Sequence, residues 1–124
     1  MMLKTFGLAV VLMAASGLPA AAASMCSAPI APAAIDGTTA TKAQLEAGLV
    51  DVKTFLKQSD DYQDCLNREW VEARDAAVKA KTDLDPAVTA DRDAKIHANQ
   101  ALKERVGAEF NAAAAAYNHA HPGN

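Results

Sequence analysis

Apolar residues recur at alternating spacings of four and three from Leu45 onward. This spacing is typical of an amphipathic helix with a coiled-coil-like seam and predicts one long helix over about 41–83. Ten of the twelve seam positions are apolar, and the seam consists of Leu45, Leu49, Val52, Leu56, Ser59, Gln63, Leu66, Trp70, Ala73, Ala77, Ala80 and Leu84. Ser59 and Gln63 interrupt it near Cys65, and one interpretation is that the N-terminal segment covers them and supplies backbone hydrogen-bond partners.

A second apolar stripe follows with a period close to 3.6 residues. Its members are Val88, Ile96, Asn99, Leu102, Val106, Phe110, Ala113 and Tyr117. Pro86 suits the first position of a helix, and Asp85 before it can act as the N-cap. The pattern therefore predicts a second helix over about 86–119.

Two helices joined by a short connection are expected to pack antiparallel, which makes the fold all-α, a helical hairpin over 41–121. If the turn is tight, Tyr62 faces Gly107 and Trp70 faces Asn99. Large side chains would then lie opposite smaller ones, which allows the helices to approach closely.

The first residues have the pattern of a secretory signal peptide. Lys4 precedes an apolar run over 7–18, and small residues follow at the expected cleavage position. The run is shorter than the ~20 residues that cross a bilayer, although an uncleaved membrane anchor is the alternative interpretation. Cleavage after Ala23, or after Ala22, would release an exported, periplasmic or secreted chain without further membrane contact.

The charge balance narrows the range of partners. The whole chain carries 12 Lys and Arg against 15 Asp and Glu, a net charge of −3. Loss of Lys4 with the leader at 1–23 would leave 11 cations against the same 15 acids, which is −4. A mildly acidic chain without clustered Lys and Arg is not expected to bind nucleic acid or anionic lipid.

The two cysteines, Cys26 and Cys65, have several possible roles. A lipid anchor on Cys26 needs a small residue before it, whereas Met25 stands there. A redox pair would be closer together in sequence, and two cysteines without a nearby histidine make a poor zinc site, so we predict no metal and no cofactor. In an exported chain, two cysteines normally form one disulfide, and we predict that Cys26 and Cys65 do so.

Residues 24–40 are rich in proline and alanine and are predicted to form an extended strap, joined by the disulfide to the middle of the first helix. Thr41 and Gln44 have the spacing of a capping box that starts the helix. Cys65 would lie about 36 Å further along, and the preceding segment can span about 50 Å. A turn at Asp36-Gly37 would let the strap run back to Cys65.

Three stretches, "CSAPIAPAAIDGTTAT", "YQDCL" and "AEFNAAAAAY", resemble a group of small exported bacterial helical proteins of unknown function. Members combine a Cys-Pro-rich start, an Asp-Gly turn and a Tyr-x-x-Cys-Leu helix. This chain lacks the proline often found before Asp-Gly. The resemblance implies the disulfide and the hairpin, and it implies no activity.

An acidic cluster is the first candidate for chemistry. Asp60, Asp61 and Asp64 fall within about one helical turn and could recruit a divalent cation. The favoured interpretation is a solvated face on which Asp64 pairs with Arg68 at i,i+4.

The histidines give a second candidate. His119 and His121 could chelate a metal if the helix end frays, and this possibility stays open. His97 has no second histidine or cysteine within two turns and is expected at the surface. The sequence contains no phosphate-binding glycine loop and no nucleophile motif, so we predict no enzymatic activity.

Two function classes remain. The first is a structural or interaction module that offers a helical face to an unknown protein partner or to itself. Val71 and Val78 lie off the main seam and are expected to stay uncovered, which favours a weak two-fold dimer. The second is a periplasmic chaperone-like or apolar-ligand-binding protein, which would keep an open apolar patch.

Overall fold

The computed structural model describes residues 24–123, so the predicted leader at 1–23 lies outside the described residues. Helix α1 spans Lys42–Lys79 and helix α2 spans Pro86–Ala120. They pack side by side as an antiparallel hairpin, preceded by the extended strap. Residues 24–123 contain no strand, and the predicted all-α hairpin is confirmed.

Both helices begin where their capping residues predict. The Thr41 hydroxyl accepts from the Gln44 backbone N–H at 3.2 Å, and the Gln44 side chain accepts from the Thr41 N–H at 2.8 Å. This reciprocal pair is the predicted capping box. At the start of α2, the Asp85 carboxylate accepts from the Ala87 N–H at 2.9 Å, with Pro86 as the first helical residue.

Helix α1 ends at Lys79, earlier than the expected boundary near residue 83. Lys81 has a left-handed backbone with φ of 55°. The Lys81 N–H donates to Val78 O and the Thr82 N–H donates to Ala77 O, both at 3.0 Å. These bonds satisfy carbonyls at the helix end and close it before Leu84, the last residue of the predicted seam.

The core lies between the first half of α1 and the second half of α2, where the strap covers both helices. Phe55 is 2% exposed and packs with Val52 of α1 and Val106 of α2. Half-buried residues surround this cluster: Ala31, Leu56, Leu102 and Phe110. The strap residue Ala31 belongs to the core, so the strap is part of the fold.

The expected pairing of the helices is wrong. The Trp70 Nε1–H donates to the Thr89 hydroxyl at 2.9 Å, whereas Asn99 contacts Ser59. No atom of another element lies within 4 Å of a Cβ built on Gly107, which was expected to face Tyr62. The error came from assuming a tight, symmetric turn. Helix α1 continues nine residues past Trp70, while α2 begins only three residues before Thr89.

The strap follows the predicted path, held close to both helices. A Cβ added to Gly37 would lie 1.9 Å from Ala113 O of α2, so the backbone of the turn rests directly on that helix. A Cβ on Gly48 of α1 would lie 2.0 Å from Cδ1 of the strap residue Ile35. Glycine at both positions makes this close contact possible.

Candidate functional site

The disulfide joins the strap to the middle of α1. Cys26 and Cys65 are bonded with their Cα atoms 5.8 Å apart and 39 positions apart in sequence, and no free cysteine occurs among the described residues. The predicted pairing is confirmed. Closing a loop of this length is expected to stabilise the native state by about 4 kcal/mol, mainly by restricting the unfolded chain.

A carboxylate lies beside the disulfide. Glu69 accepts from the Ser24 hydroxyl at 2.8 Å and from the Met25 N–H at 2.7 Å. It follows Cys65 by one helical turn, and one potential ligand atom each from Cys26, Cys65 and Glu69 lies within 4.8 Å of the other two. Sequence reasoning missed Glu69. The i,i+4 spacing was visible, but the strap's position was needed to complete the group.

An open cleft borders this group. Its volume is about 400 Å³, and the disulfide forms one of its walls. Tyr62 and Gln58 of α1 line it together with Pro29 of the strap. The disulfide is thus half-buried and within reach of small molecules and ions.

A second cleft of about 480 Å³ lies where the strap crosses the hairpin. Its apolar lining includes Ile35 of the strap, Val52 of α1, and Val106 and Phe110 of α2. The arrangement offers a shallow apolar surface between three segments of the chain.

The polar interruption of the α1 seam faces α2. Ser59 is fully buried, and its backbone carbonyl accepts from the Asn99 side-chain amide at 3.2 Å. The Ser59 Oγ and the Gln63 Nε2 are buried without a hydrogen-bond partner. The interpretation that the strap supplies partners to these two atoms is therefore wrong. Ser59 faces Asn99 of α2 instead.

Trp70 lies toward the closed end of the hairpin, near the connection between the two helices. The Arg92 guanidinium lies 4.3 Å from the ring centroid and that of Arg74 lies 5.2 Å away. The Arg92 contact and the indole hydrogen bond to Thr89 join the start of α2 to α1, whereas the Arg74 contact lies within α1.

Two of the three residues in the acidic cluster form ion pairs. Asp60 pairs with Lys103 of α2, and Asp61 pairs with Lys57 at 2.7 Å. The hydrogen bond that Lys57 donates to Asp61 raises the pKa of Lys57 above its ordinary value. Among the described residues, the expected Asp64–Arg68 pair does not form.

Among residues 24–123, no histidine belongs to a cluster of three or more potential metal ligands. The His121 ring stacks on Tyr117 with centroids 4.3 Å apart, and its Nδ1 lies 3.0 Å from Tyr117 O. His119 and His97 are exposed, and exposure was the expectation for His97. Metal binding by His119 and His121 stays an alternative that these contacts do not test.

Two exposed valines lie in the second half of α1. Val71 is 38% exposed and Val78 is 69% exposed, and we call these two residues the valine pair. They are seven residues apart and so lie on nearly the same face of the helix. The expectation that this face stays uncovered is confirmed for the single chain.

No protein-family model, curated protein or solved structure matches this chain. The resemblance to small exported helical proteins therefore stays a prediction. Within residues 24–123, neither helix combines the length and apolar character needed to cross a membrane.

Proposed function

We propose that this protein is an exported interaction module, without catalytic activity, that pairs with a second copy of itself through the valine pair. The disulfide supports export, because such bonds persist mainly in oxidising compartments. The signal-peptide pattern of residues 1–23 agrees with this.

The observation that carries the proposal is the exposure of Val71 and Val78 on a helix whose core is narrow. The buried core cluster consists of Val52, Phe55 and Val106, all in the strap-covered half of the hairpin. The valine pair lies outside this cluster and stays exposed to solvent. Covering them would stabilise an assembly through burial of apolar area.

A second copy would match this face in the positions of its apolar and charged residues. In an antiparallel pairing of two α1 helices, with the two-fold axis between Arg74 and Asp75, Val71 of one copy lies against Val78 of the other. The same axis places Arg74 of one copy opposite Asp75 of the other. These two side chains already contact each other within one chain at 3.0 Å and remain about half exposed. The face is therefore self-complementary, as a two-fold interface requires.

Sedimentation of the disulfide-bonded protein tests this proposal. The wild type should associate weakly as a dimer at high micromolar concentration. Replacing both Val71→Glu and Val78→Glu should shift it to monomer with unchanged helicity by circular dichroism.

The matched control is Val50→Glu, which alters an exposed valine on α1 far from the proposed axis. This variant should sediment like the wild type. A wild type that remains monomeric at high micromolar concentration would contradict self-association.

The second candidate function is apolar-ligand or client binding of a chaperone type. The cleft of about 480 Å³ between strap and hairpin favours it, because Ile35 and Phe110 present apolar surface there. A monomer that binds a hydrophobic dye in its native state, and loses that binding with Phe110→Ala, would support this function over the interaction module.

A further inference from the structure

We propose that reduction of the disulfide converts Cys26, Cys65 and Glu69 into a zinc site. The three residues come from two segments, the strap and α1, which the fold brings together. One ligand atom from each lies within 4.8 Å of the others, and all three residues are half-buried. This proposal is independent of self-association, because the valine pair lies outside the group.

The donor set matches zinc. Thiolate and carboxylate are both common zinc ligands, at about 2.3 Å and 2.0–2.2 Å respectively. The Cα atoms of Cys26 and Cys65 are 5.8 Å apart, so both thiolates can point at one ion between them. Three protein ligands leave a fourth, open position, as in catalytic zinc sites. Two sulfur donors favour zinc over the hard cations magnesium and calcium.

The surroundings hold Glu69 in place. One carboxylate oxygen accepts from the Met25 N–H at 2.7 Å and the other accepts from the Ser24 hydroxyl at 2.8 Å. These bonds orient the carboxylate as outer hydrogen bonds do in metal sites. They do not depend on the sulfur–sulfur bond, so they hold the strap near α1 after reduction. The cleft of about 400 Å³ beside Cys26 and Cys65 gives the ion a way in.

The chemistry has two balanced steps. A dithiol reductant gives two electrons and two protons to the disulfide, which becomes two cysteine thiols, and the reductant becomes a disulfide. Zinc then binds both sulfur atoms and the Glu69 carboxylate and displaces the two thiol protons. An oxidising disulfide would reverse the first step: it accepts two electrons from the two thiolates and becomes a dithiol, the Cys26–Cys65 bond forms again and the zinc ion is released. Zinc binding therefore follows the redox state.

The experiment compares oxidised chain with chain reduced by a dithiol, which is then removed by anaerobic gel filtration. Zinc is titrated against a chromophoric chelator, and cobalt is used as a spectroscopic probe. The reduced protein should bind one zinc ion per chain, and the cobalt form should show thiolate-to-metal charge-transfer absorption. The oxidised protein should bind none.

Two variants distinguish a zinc site that includes Glu69 from zinc binding by the two cysteine thiolates alone. Glu69→Gln should weaken zinc binding by the reduced chain at least about tenfold. Glu72→Gln removes an exposed carboxylate on the same helix and should leave affinity unchanged. Equal affinity of the Glu69→Gln variant and the wild type would overturn the proposal. Failure of the reduced wild type to bind, or loss of its helical signal on reduction, would overturn it too.

Discussion

At the scale of single residues, the strap's close approach to the hairpin depends on glycine. A Cβ at Gly37 would meet the backbone of Ala113 at 1.9 Å, whereas a Cβ at Gly48 would meet the far end of the Ile35 side chain at 2.0 Å. A side-chain end can rotate away, but a helix backbone cannot move without disturbing its packing. A methyl group at position 37 would therefore have to displace backbone, whereas one at position 48 would have to displace only the end of a side chain.

We predict that Gly37→Ala destabilises the protein by about 1–3 kcal/mol, the usual cost of overpacking. Gly48→Ala, the matched control, should cost less, because Ile35 can change rotamer. Urea unfolding followed by circular dichroism measures both. Equal midpoints for the two variants would mean that the strap does not rest on α2 as described.

Asp36 controls the turn that precedes this contact. Its carboxylate accepts from the Thr38 hydroxyl at 2.6 Å and from the Thr38 N–H at 2.9 Å. The bond from the hydroxyl, and then that from the backbone, lowers the pKa of Asp36 below its ordinary 3.8. The ionised form therefore stabilises the folded state at pH values above 3.8, and this stabilisation disappears as the pH falls through the lowered pKa.

We predict that an NMR titration of the native protein places the Asp36 pKa below 3.8. Asp36→Asn keeps an acceptor oxygen but removes the charge. The stability difference between variant and wild type should thus be constant near neutral pH and shrink in acid. A pKa at or above the ordinary value would show that the Thr38 bonds do not persist in solution.

At the scale of the helices, the polar layer between them contains both a satisfied and an unsatisfied group. Asn99 is 5% exposed and donates to the Ser59 carbonyl, but the Ser59 hydroxyl has no partner. Burying a polar group without a partner costs free energy, whereas a buried bonded amide contributes about 0.5–1.5 kcal/mol.

We therefore predict that truncating these two side chains changes the stability of the protein in different ways. Ser59→Ala should leave stability unchanged or raise it, because it removes a buried hydroxyl without breaking a bond. Asn99→Ala should lower stability by about 1–3 kcal/mol through the lost bond and the space left behind. The fluorescence of Trp70, the only tryptophan, reports unfolding in urea for both. Destabilisation by Ser59→Ala would indicate a hydroxyl partner.

The sequence predicted the helices well because their signals are local. Thr41, Asp85 and Pro86 mark helix starts through contacts within four residues, and the apolar spacing identifies the faces that pack. The helix register could not be predicted in the same way. It depends on how Lys81 and its neighbours close α1 and on where Trp70 meets α2, which no local pattern encodes.

In the candidate site, too, one part could be predicted from the sequence and another part could not. Cys26 and Cys65 could be paired from their number and compartment alone. Glu69 could not be predicted as the third member of this group, because its position beside the cysteines matters only once the path of the strap across α1 is known. The bonds from Ser24 and Met25 arise only once the strap has folded back.

At the scale of the whole molecule, the disulfide and the helices contribute to stability in different ways. The disulfide restricts the unfolded chain over a loop of 39 positions. The helices are stabilised by their own caps, by the cluster around Phe55 and by the contacts of Trp70. None of these interactions includes a sulfur atom. The strap also keeps contacts apart from the disulfide, through Ala31 in the core and through Glu69.

We predict that reduction lowers the free energy of unfolding by about 4 kcal/mol, or less where the unfolded chain keeps residual structure, while most helical signal remains. Circular dichroism in increasing urea, with and without a dithiol, measures both quantities. The double variant Cys26→Ser and Cys65→Ser should behave like the reduced protein and thereby exclude an effect of the dithiol itself. Collapse of the helical signal on reduction without denaturant would instead show that the strap is required for α1 and α2 to form, because the cap and core contacts alone would then be too weak.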